Sequence, residues 1–131
     1  VNSKENKSRF VLIPDYLISA LQEYDQRTGI TSGYMLRQLR DPEYPLTSNT
    51  VKMIFQDLKI STGIDRIHAH LLRHTFAISY LIGGGNLEFL RVFLGHYDYA
   101  ATKTYVAMAA QMKLLGAPVY QLDPIFFQRG Y

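Results

Sequence analysis

Apolar side chains recur every three or four positions in five stretches of this chain, and that spacing is typical of one buried face of an α-helix. The clearest stripe consists of Val51, Ile54, Phe55 and Leu58. The first predicted helix follows Pro14 and stops before Gly29, and the second runs from a cap at Thr47 or Ser48 to Thr62. The other three are predicted at His70–Ile82, at Leu87–Phe93 and from Thr102 to about Met112.

Residues at the ends of these stretches support the same boundaries. Pro14 suits the first turn of a helix, and Asn86 can cap the fourth one. The run Gly83-Gly84-Gly85 predicts the end of the third helix, because glycine readily takes the left-handed conformations that end one. Gly95 ends the fourth helix and presents His96 at a turn.

The two ends of the chain differ from its helical middle. Polar residues precede the apolar run Arg9–Ile13, which predicts a turn feeding a short β-strand whose hairpin partner would lie before Val1. Residues 113–131 hold Gly116 and two prolines, yet they are rich in apolar side chains that need burial. We expect a mainly α fold with a small N-terminal β-hairpin remnant, in one domain of residues 1–131. The hairpin segment would cover residues 1–13, the helical core 14–112 and the tail 113–131.

Composition narrows the class of protein. The 131 residues are 47% hydrophobic, which favours a folded globule. The net charge of +3 comes from the second half of the chain: residues 51–131 carry eight Lys or Arg against five Asp or Glu, whereas residues 1–50 carry six of each. With a pI near 9.2, nucleic acid is a reasonable partner.

The absence of cysteine excludes disulfides and thiolate metal sites. No apolar run is long enough to cross a membrane, and no charged-then-apolar leader opens the chain. We therefore expect a soluble, cytoplasmic protein that is not bound to a membrane.

The candidate chemistry lies in the basic half. His70 and Arg73 are three residues apart on a predicted helix, so both can reach the same anion. Arginine suits a phosphate because its planar fork bonds two oxygens at once. His96 and Tyr105 would add a second donor and a nucleophile if the fold brings them near, and that set suits phosphoryl transfer. The phenol has an ordinary pKa of about 10, so the site must help it ionise.

The order of these residues is also specific. The run His70-Leu-Leu-Arg73-His74-Thr-Phe-Ala, then Leu94-Gly-His96, then Tyr105 nine residues later, resembles the tyrosine recombinase, or phage integrase, family from about Lys4 to Tyr105. The resemblance implies a truncated catalytic core, the C-terminal portion of the family's catalytic domain.

The resemblance also implies roles. Tyr105 would be the nucleophile that forms a 3′-phosphotyrosine and frees a 5′-hydroxyl, while His70, Arg73 and His96 hold the phosphate. Lys4 takes the place of the family's catalytic lysine, which protonates the leaving oxygen, although Glu5 stands where the family has glycine. The scheme needs no metal and no cofactor.

The first of the family's two catalytic arginines lies before the hairpin, and nothing in residues 1–131 can take its place. We therefore expect the fragment to be inactive and the intact protein to recombine DNA. The implied function is site-specific recombination, as an integrase or transposase of a mobile element. The implied partners are double-stranded DNA and further copies of the chain, as a tetramer on DNA whose C-terminal tails are exchanged.

Other interpretations stay open. A type IB topoisomerase shares the chemistry, and a DNA-binding relative could have kept the fold without activity. His70 and His74, spaced i and i+4, could hold zinc, but no Glu follows His70 and no cysteine is present. Tyr97 and Tyr99 compete with Tyr105 as nucleophile, and Tyr105 is preferred because Thr104-Tyr105 fits the family's order.

Overall fold

The computed structural model describes residues 8–95, 99–116 and 120–127, and these residues are mostly helical. The helices are α1 (Asp15–Thr28), α2 (Ser48–Thr62), α3 (Ala69–Ile82), α4 (Leu87–Leu94) and α5 (Tyr99–Leu114), with a 3₁₀-helix at Pro124–Phe127. The prediction of a mainly α fold is confirmed. Lys4, His96 and Tyr97 lie outside the described residues.

The predicted helix ends are found where capping residues stand. The side-chain oxygen of Thr47 accepts a hydrogen bond from the Thr50 N–H at 3.2 Å, and that of Asn86 accepts one from the Phe89 N–H at 2.9 Å. Gly29, Gly63 and Gly95 each follow a helix with positive φ, between 70° and 76°. Local sequence therefore determines most boundaries, because each cap satisfies backbone groups that the helix leaves unpaired.

Two expectations about the chain's path are corrected. Residues 8–14 carry no regular secondary structure, so the strand expected at Arg9–Ile13 is absent from the described residues. A strand needs a second strand for its backbone hydrogen bonds, and among the described residues the isolated bridge found joins Arg37 to Pro45 instead. The segment 99–101, expected to be loop, is the first turn of α5.

The chain forms two compact units. The first consists of Leu72–Tyr131 with Val1–Leu12, as far as these are described, and the second is Ile13–Leu71. The prediction of a single domain over residues 1–131 stays a prediction.

The first unit has an aromatic core. Its buried apolar residues come from α3, α4, α5 and the 3₁₀-helix: Ala77, Ile78, Tyr80, Leu90, Leu94, Tyr105, Ala109 and Phe126. The Phe76 ring lies 5.1 Å from the rings of both Phe93 and Phe126. Of the apolar tail, the part at Pro124–Phe127 thus packs on the core of its own chain, whereas Leu114, Leu115 and Tyr120 are exposed.

The glycine run after α3 also belongs to this packing. A Cβ on Gly83 would lie 2.8 Å from the Phe127 ring, and one on Gly85 would collide with the ring of Tyr80. The Tyr80 hydroxyl then accepts a hydrogen bond from the Asn86 N–H at 3.1 Å. The run therefore ends α3 and also makes room for two aromatic side chains.

The second unit is organised around one arginine. Neither α1 nor α2 has a buried residue, whereas Arg37 is only 2% exposed. Its guanidinium donates to the Asp25 carboxylate at 2.6 Å and to the carbonyls of Ile30 and Tyr34 at 2.8 and 2.9 Å. This buried cation, rather than an apolar core, connects the loop after α1 to the helix.

Candidate active site

Helix α3 carries two of the predicted site residues, His70 in its first turn and Arg73 three residues later. The boundary between the two compact units falls in sequence between Leu71 and Leu72, so His70 is described with the second unit and Arg73 with the first. His70 is exposed, and its ring lies 6.4 Å from that of His68 in an edge-on arrangement. The imidazole is thus open to solvent at the start of α3.

Arg73 is half-buried and fixed to the end of α4. One of its terminal nitrogens donates to the carbonyl oxygen of Leu94 at 2.5 Å. Leu94 is the last residue of α4, where carbonyl groups lack helical partners and a nearby positive charge is favourable. The bond therefore holds the guanidinium beside the residue that directly precedes Gly95 and His96.

Tyr105 lies on the buried face of α5 together with Thr102 and Ala109. Its side chain is 6% exposed, and its ring meets the His74 ring edge to face, with centroids 5.2 Å apart. The sequence predicted the hydroxyl as a nucleophile but did not predict this burial. The structure thus brings Tyr105 and α3 together through His74, a residue named above only as an alternative zinc ligand.

Tyr99, the alternative nucleophile, is engaged elsewhere. Its hydroxyl donates to the Glu88 carboxylate, and the Arg91 guanidinium lies over its ring, 5.3 Å from the centroid. The hydrogen bond to Glu88 raises the pKa of Tyr99 above its ordinary value, which makes the phenol harder to ionise. The choice of Tyr105 over Tyr99 as nucleophile stays a prediction. Tyr97, the third candidate, cannot be compared, since it lies outside the described residues.

Arg9 is a residue to which sequence reasoning gave no role. Its guanidinium nitrogen Nη1 lies 2.9 Å from the position that a Cβ on Gly95 would occupy. Arg9 thus contacts the same turn that Arg73 reaches from α3. A signal was present in the frame Lys4-Glu-Asn-Lys7-Ser-Arg9, because the last basic residue of that frame directly precedes the apolar run.

Three features bear on the remaining expectations. Lys4 and His96 lie outside the described residues, so their expected places in the site stay predictions. Over residues 8–95, 99–116 and 120–127, no three His, Asp or Glu side chains group as ligands of a metal ion would. No helix in this portion of the chain has the length and apolar character of a membrane span.

Comparison with known proteins adds a family. The phage integrase family matches residues 1–112, a range that includes all five predicted site residues. Similar proteins include tyrosine recombinase XerC of Staphylococcus epidermidis, 28% identical over 116 residues, or 85% of this chain and 38% of that protein. XerC of Bacillus pumilus is 33% identical over 80% of this chain and 37% of its own length.

A shorter match with higher identity is tyrosine recombinase XerD of Caulobacter vibrioides, 40% identical over 68 residues, which are 50% of this chain and 22% of that protein. The chain thus spans less than two fifths of the length of these relatives. No solved structure matches the chain.

Proposed function

Because the chain belongs to the phage integrase family, we propose that the intact protein is a tyrosine recombinase that breaks and rejoins double-stranded DNA at specific sites. The observation that carries this proposal is the family match over residues 1–112, the stretch with His70, Arg73, His96 and Tyr105 in order. The bond from Arg73 to the end of α4 supports it, since it ties the phosphate-binding helix to the turn before His96.

Binding of the scissile phosphate is the first task of such a site. Arg73 donates to the non-bridging oxygens, and His70 and His96 add hydrogen bonds to the same group. Positive charge and fixed donors stabilise the phosphate as its charge redistributes in the transition state. The guanidinium of Arg73 carries five N–H groups, and the Leu94 carbonyl accepts a hydrogen bond from one of them. Other N–H groups of Arg73 can therefore donate to the phosphate.

Strand cleavage then exchanges one ester for another. The Tyr105 oxygen forms a bond to phosphorus, its proton passes to a base, and the bond from phosphorus to the 5′-oxygen breaks. Lys4 gives that oxygen its proton. The 3′-phosphotyrosine keeps the energy of the broken phosphodiester, so a 5′-hydroxyl from another strand can reseal it without a cofactor.

The buried state of Tyr105 adds a step. Tyr105 is only 6% exposed and its ring packs against that of His74, so we infer that the hydroxyl becomes accessible to a DNA phosphate only when this packing loosens. On this proposal the described arrangement is a resting state of the nucleophile, from which DNA binding exposes Tyr105.

Finer points of the proposal rest on the family alone. The first catalytic arginine belongs to chain upstream of Val1, so residues 1–131 by themselves do not recombine DNA. Integration or transposition of a mobile element is the specific reaction we favour, in the cytoplasm, by a tetramer on DNA with exchanged tails. A type IB topoisomerase-like enzyme and a silent DNA-binding relative are the alternatives.

Covalent trapping tests the proposal. The full-length protein and its Tyr105→Phe and Tyr99→Phe variants are incubated with a pool of genomic duplexes carrying random nicks, and then separated on a denaturing gel. A nick close to the cleaved bond lets the short 5′-hydroxyl strand diffuse away, so the adduct accumulates. We expect an adduct with the wild type and Tyr99→Phe, and none with Tyr105→Phe.

Other results would change the assignment. An adduct that persists in Tyr105→Phe would move the nucleophile to another tyrosine. Tight DNA binding with no adduct in the wild type would favour the silent relative, whereas relaxation of supercoiled DNA without strand exchange would favour the topoisomerase.

A further inference from the structure

Arg9 has a buried guanidinium nitrogen that lacks a polar partner. Its Nε atom is buried and has no hydrogen-bond partner. Among the described residues, the ion pairs found join Arg27, Arg37 and Arg91 to carboxylates, and none includes Arg9. A guanidinium stays charged at any ordinary pH, and Arg9 as a whole is half-buried with only Nε among the buried unpaired atoms, so its terminal nitrogens are open to an anion.

The surroundings of Arg9 contain a second cation. Arg9 packs against Gly95, and Arg73 donates to the carbonyl of Leu94, the preceding residue. Two guanidinium groups therefore contact consecutive residues at the end of α4. Like charges that contact neighbouring residues repel each other, and a bound anion offsets that repulsion through charge-assisted hydrogen bonds.

Gly95 fits this arrangement for two reasons. Its φ of 76° is a conformation that favours glycine, and a Cβ there would lie 2.9 to 3.4 Å from three atoms of Arg9. Any larger residue at position 95 would push the Arg9 side chain away from the turn. The absence of a side chain thus allows a cation to rest directly on the backbone beside Leu94.

We propose that Arg9 is a phosphate-binding residue of the DNA interface, which holds a backbone phosphate next to Arg73 at the C-terminal end of α4. The ligand is a phosphodiester of duplex DNA, because the planar guanidinium fork of an arginine matches the paired non-bridging oxygens of a phosphate. The proposal rests on the proposed function for the identity of the nucleic acid. It adds a contact on the segment before α1, separate from the predicted role of Lys4.

The test is the salt dependence of DNA binding. Each phosphate contact contributes about 0.9 to the slope of log affinity against log salt concentration, because binding releases condensed counterions. Anisotropy of a labelled genomic duplex is measured over a salt series with the full-length protein in a Tyr105→Phe background, where Tyr105 cannot form an adduct. Arg9→Gln, Arg9→Lys and Arg27→Gln are compared. Arg27 is the control since it is exposed and ion-paired with Glu23.

We expect the slope to fall by about 0.9 in Arg9→Gln and to be unchanged in Arg9→Lys and Arg27→Gln. An unchanged slope in Arg9→Gln would overturn the proposal, and so would an equal fall in Arg27→Gln, because the effect would then be one of net charge. If Arg9→Gln melts below the wild type, Arg9→Met, whose unbranched stem fills similar space, carries the same test.

The assay separates this proposal from the previous one. A fall in slope for Arg9→Gln, together with no adduct in the trapping experiment, would reject the recombinase and leave the phosphate site. An adduct in the wild type, together with an unchanged slope for Arg9→Gln, would reject the phosphate site alone.

Discussion

Arg9 and Arg37 show how differently one residue type behaves when its surroundings change. The Nε atoms of both are buried without a hydrogen-bond partner. The terminal nitrogens of Arg37, however, bond a carboxylate and two backbone carbonyls, so its charge is compensated within the protein. Arg37 is thus a structural cation of the second unit, whereas the place of Arg9 suits an external anion.

Replacing Arg37 should therefore damage the fold. Arg37→Ala leaves Asp25 and two carbonyls without their donor, and we expect a loss of about 2–3 kcal/mol in the free energy of unfolding. The loss is at the low end for a buried pair because Asp25 stays partly in water. Arg27→Ala, which removes an exposed pair with Glu23, should cost under about 0.5 kcal/mol.

Urea unfolding of the two variants measures this difference. Equal, small losses would show that the guanidinium of Arg37 does not hold the loop to α1.

Contacts between α4 and α5 explain one of the two errors in the predicted elements. Residues 99–101 were expected to be loop, but Tyr99 bonds Glu88 and stacks beneath Arg91, and these contacts join the first turn of α5 to α4. Glu88 and Arg91 also form an ion pair with each other. The first turn of α5 thus depends on partners that belong to another helix.

The ionisation of Glu88 reports these contacts. Its pKa is lowered from 4.5 to about 2, first by the hydrogen bond from Arg91 and second by that from Tyr99. A lowered pKa means that the contact stabilises the fold above pH 4.5 and that its contribution is lost as pH falls towards 2. We expect Arg91→Gln to raise this pKa more than Tyr99→Phe does.

Carboxyl chemical shifts followed by NMR between about pH 1.5 and 6, a range spanning the two values, measure the pKa of Glu88 in each variant. A midpoint near 4.5 in the wild type would contradict the described contacts. If Tyr99→Phe raised the pKa of Glu88 more than Arg91→Gln did, Tyr99 rather than Arg91 would be the main cause of the lowered pKa.

The sequence predicted those features that depend on contacts between residues close together along the chain. Asn86 and Gly95 act on backbone groups within a turn of themselves, so α4 could be placed from local pattern. The burial of Tyr105 against His74 and the place of Arg9 beside Gly95 join residues far apart in sequence. Those pairings needed the packed unit, although the family motif had already selected Tyr105 as a candidate.

At the scale of the molecule, the tail completes the core of the first unit. Phe126 is 8% exposed and contacts the rings of Phe76 and Phe93, and the Phe127 ring stacks on Tyr80 at 5.3 Å. Residues near the C-terminus thus cover α3 and α4 of their own chain. This packing occurs within one copy, so the proposed exchange between copies would have to compete with it.

Truncating the buried ring should cost stability. Phe126→Ala removes a core phenyl group, and we expect a loss of about 3 kcal/mol in the free energy of unfolding. Tyr120→Ala is the matched control, because Tyr120 is 74% exposed and should change the value by under about 0.5 kcal/mol. Thermal or urea unfolding compares them, and similar effects of the two changes would show that the tail does not pack as described.

The short connection between α5 and this tail also affects whether the tail can dock on the core of another copy. Nine residues separate the end of α5 at Leu114 from Pro124. So short a tether gives the tail an effective concentration on the order of millimolar at its own core. At a micromolar protein concentration, the tail of another free copy would be about a thousandfold less concentrated at that core than the chain's own tail. Tail exchange would therefore depend on neighbours that DNA holds side by side, so that assembly on the target precedes the swap.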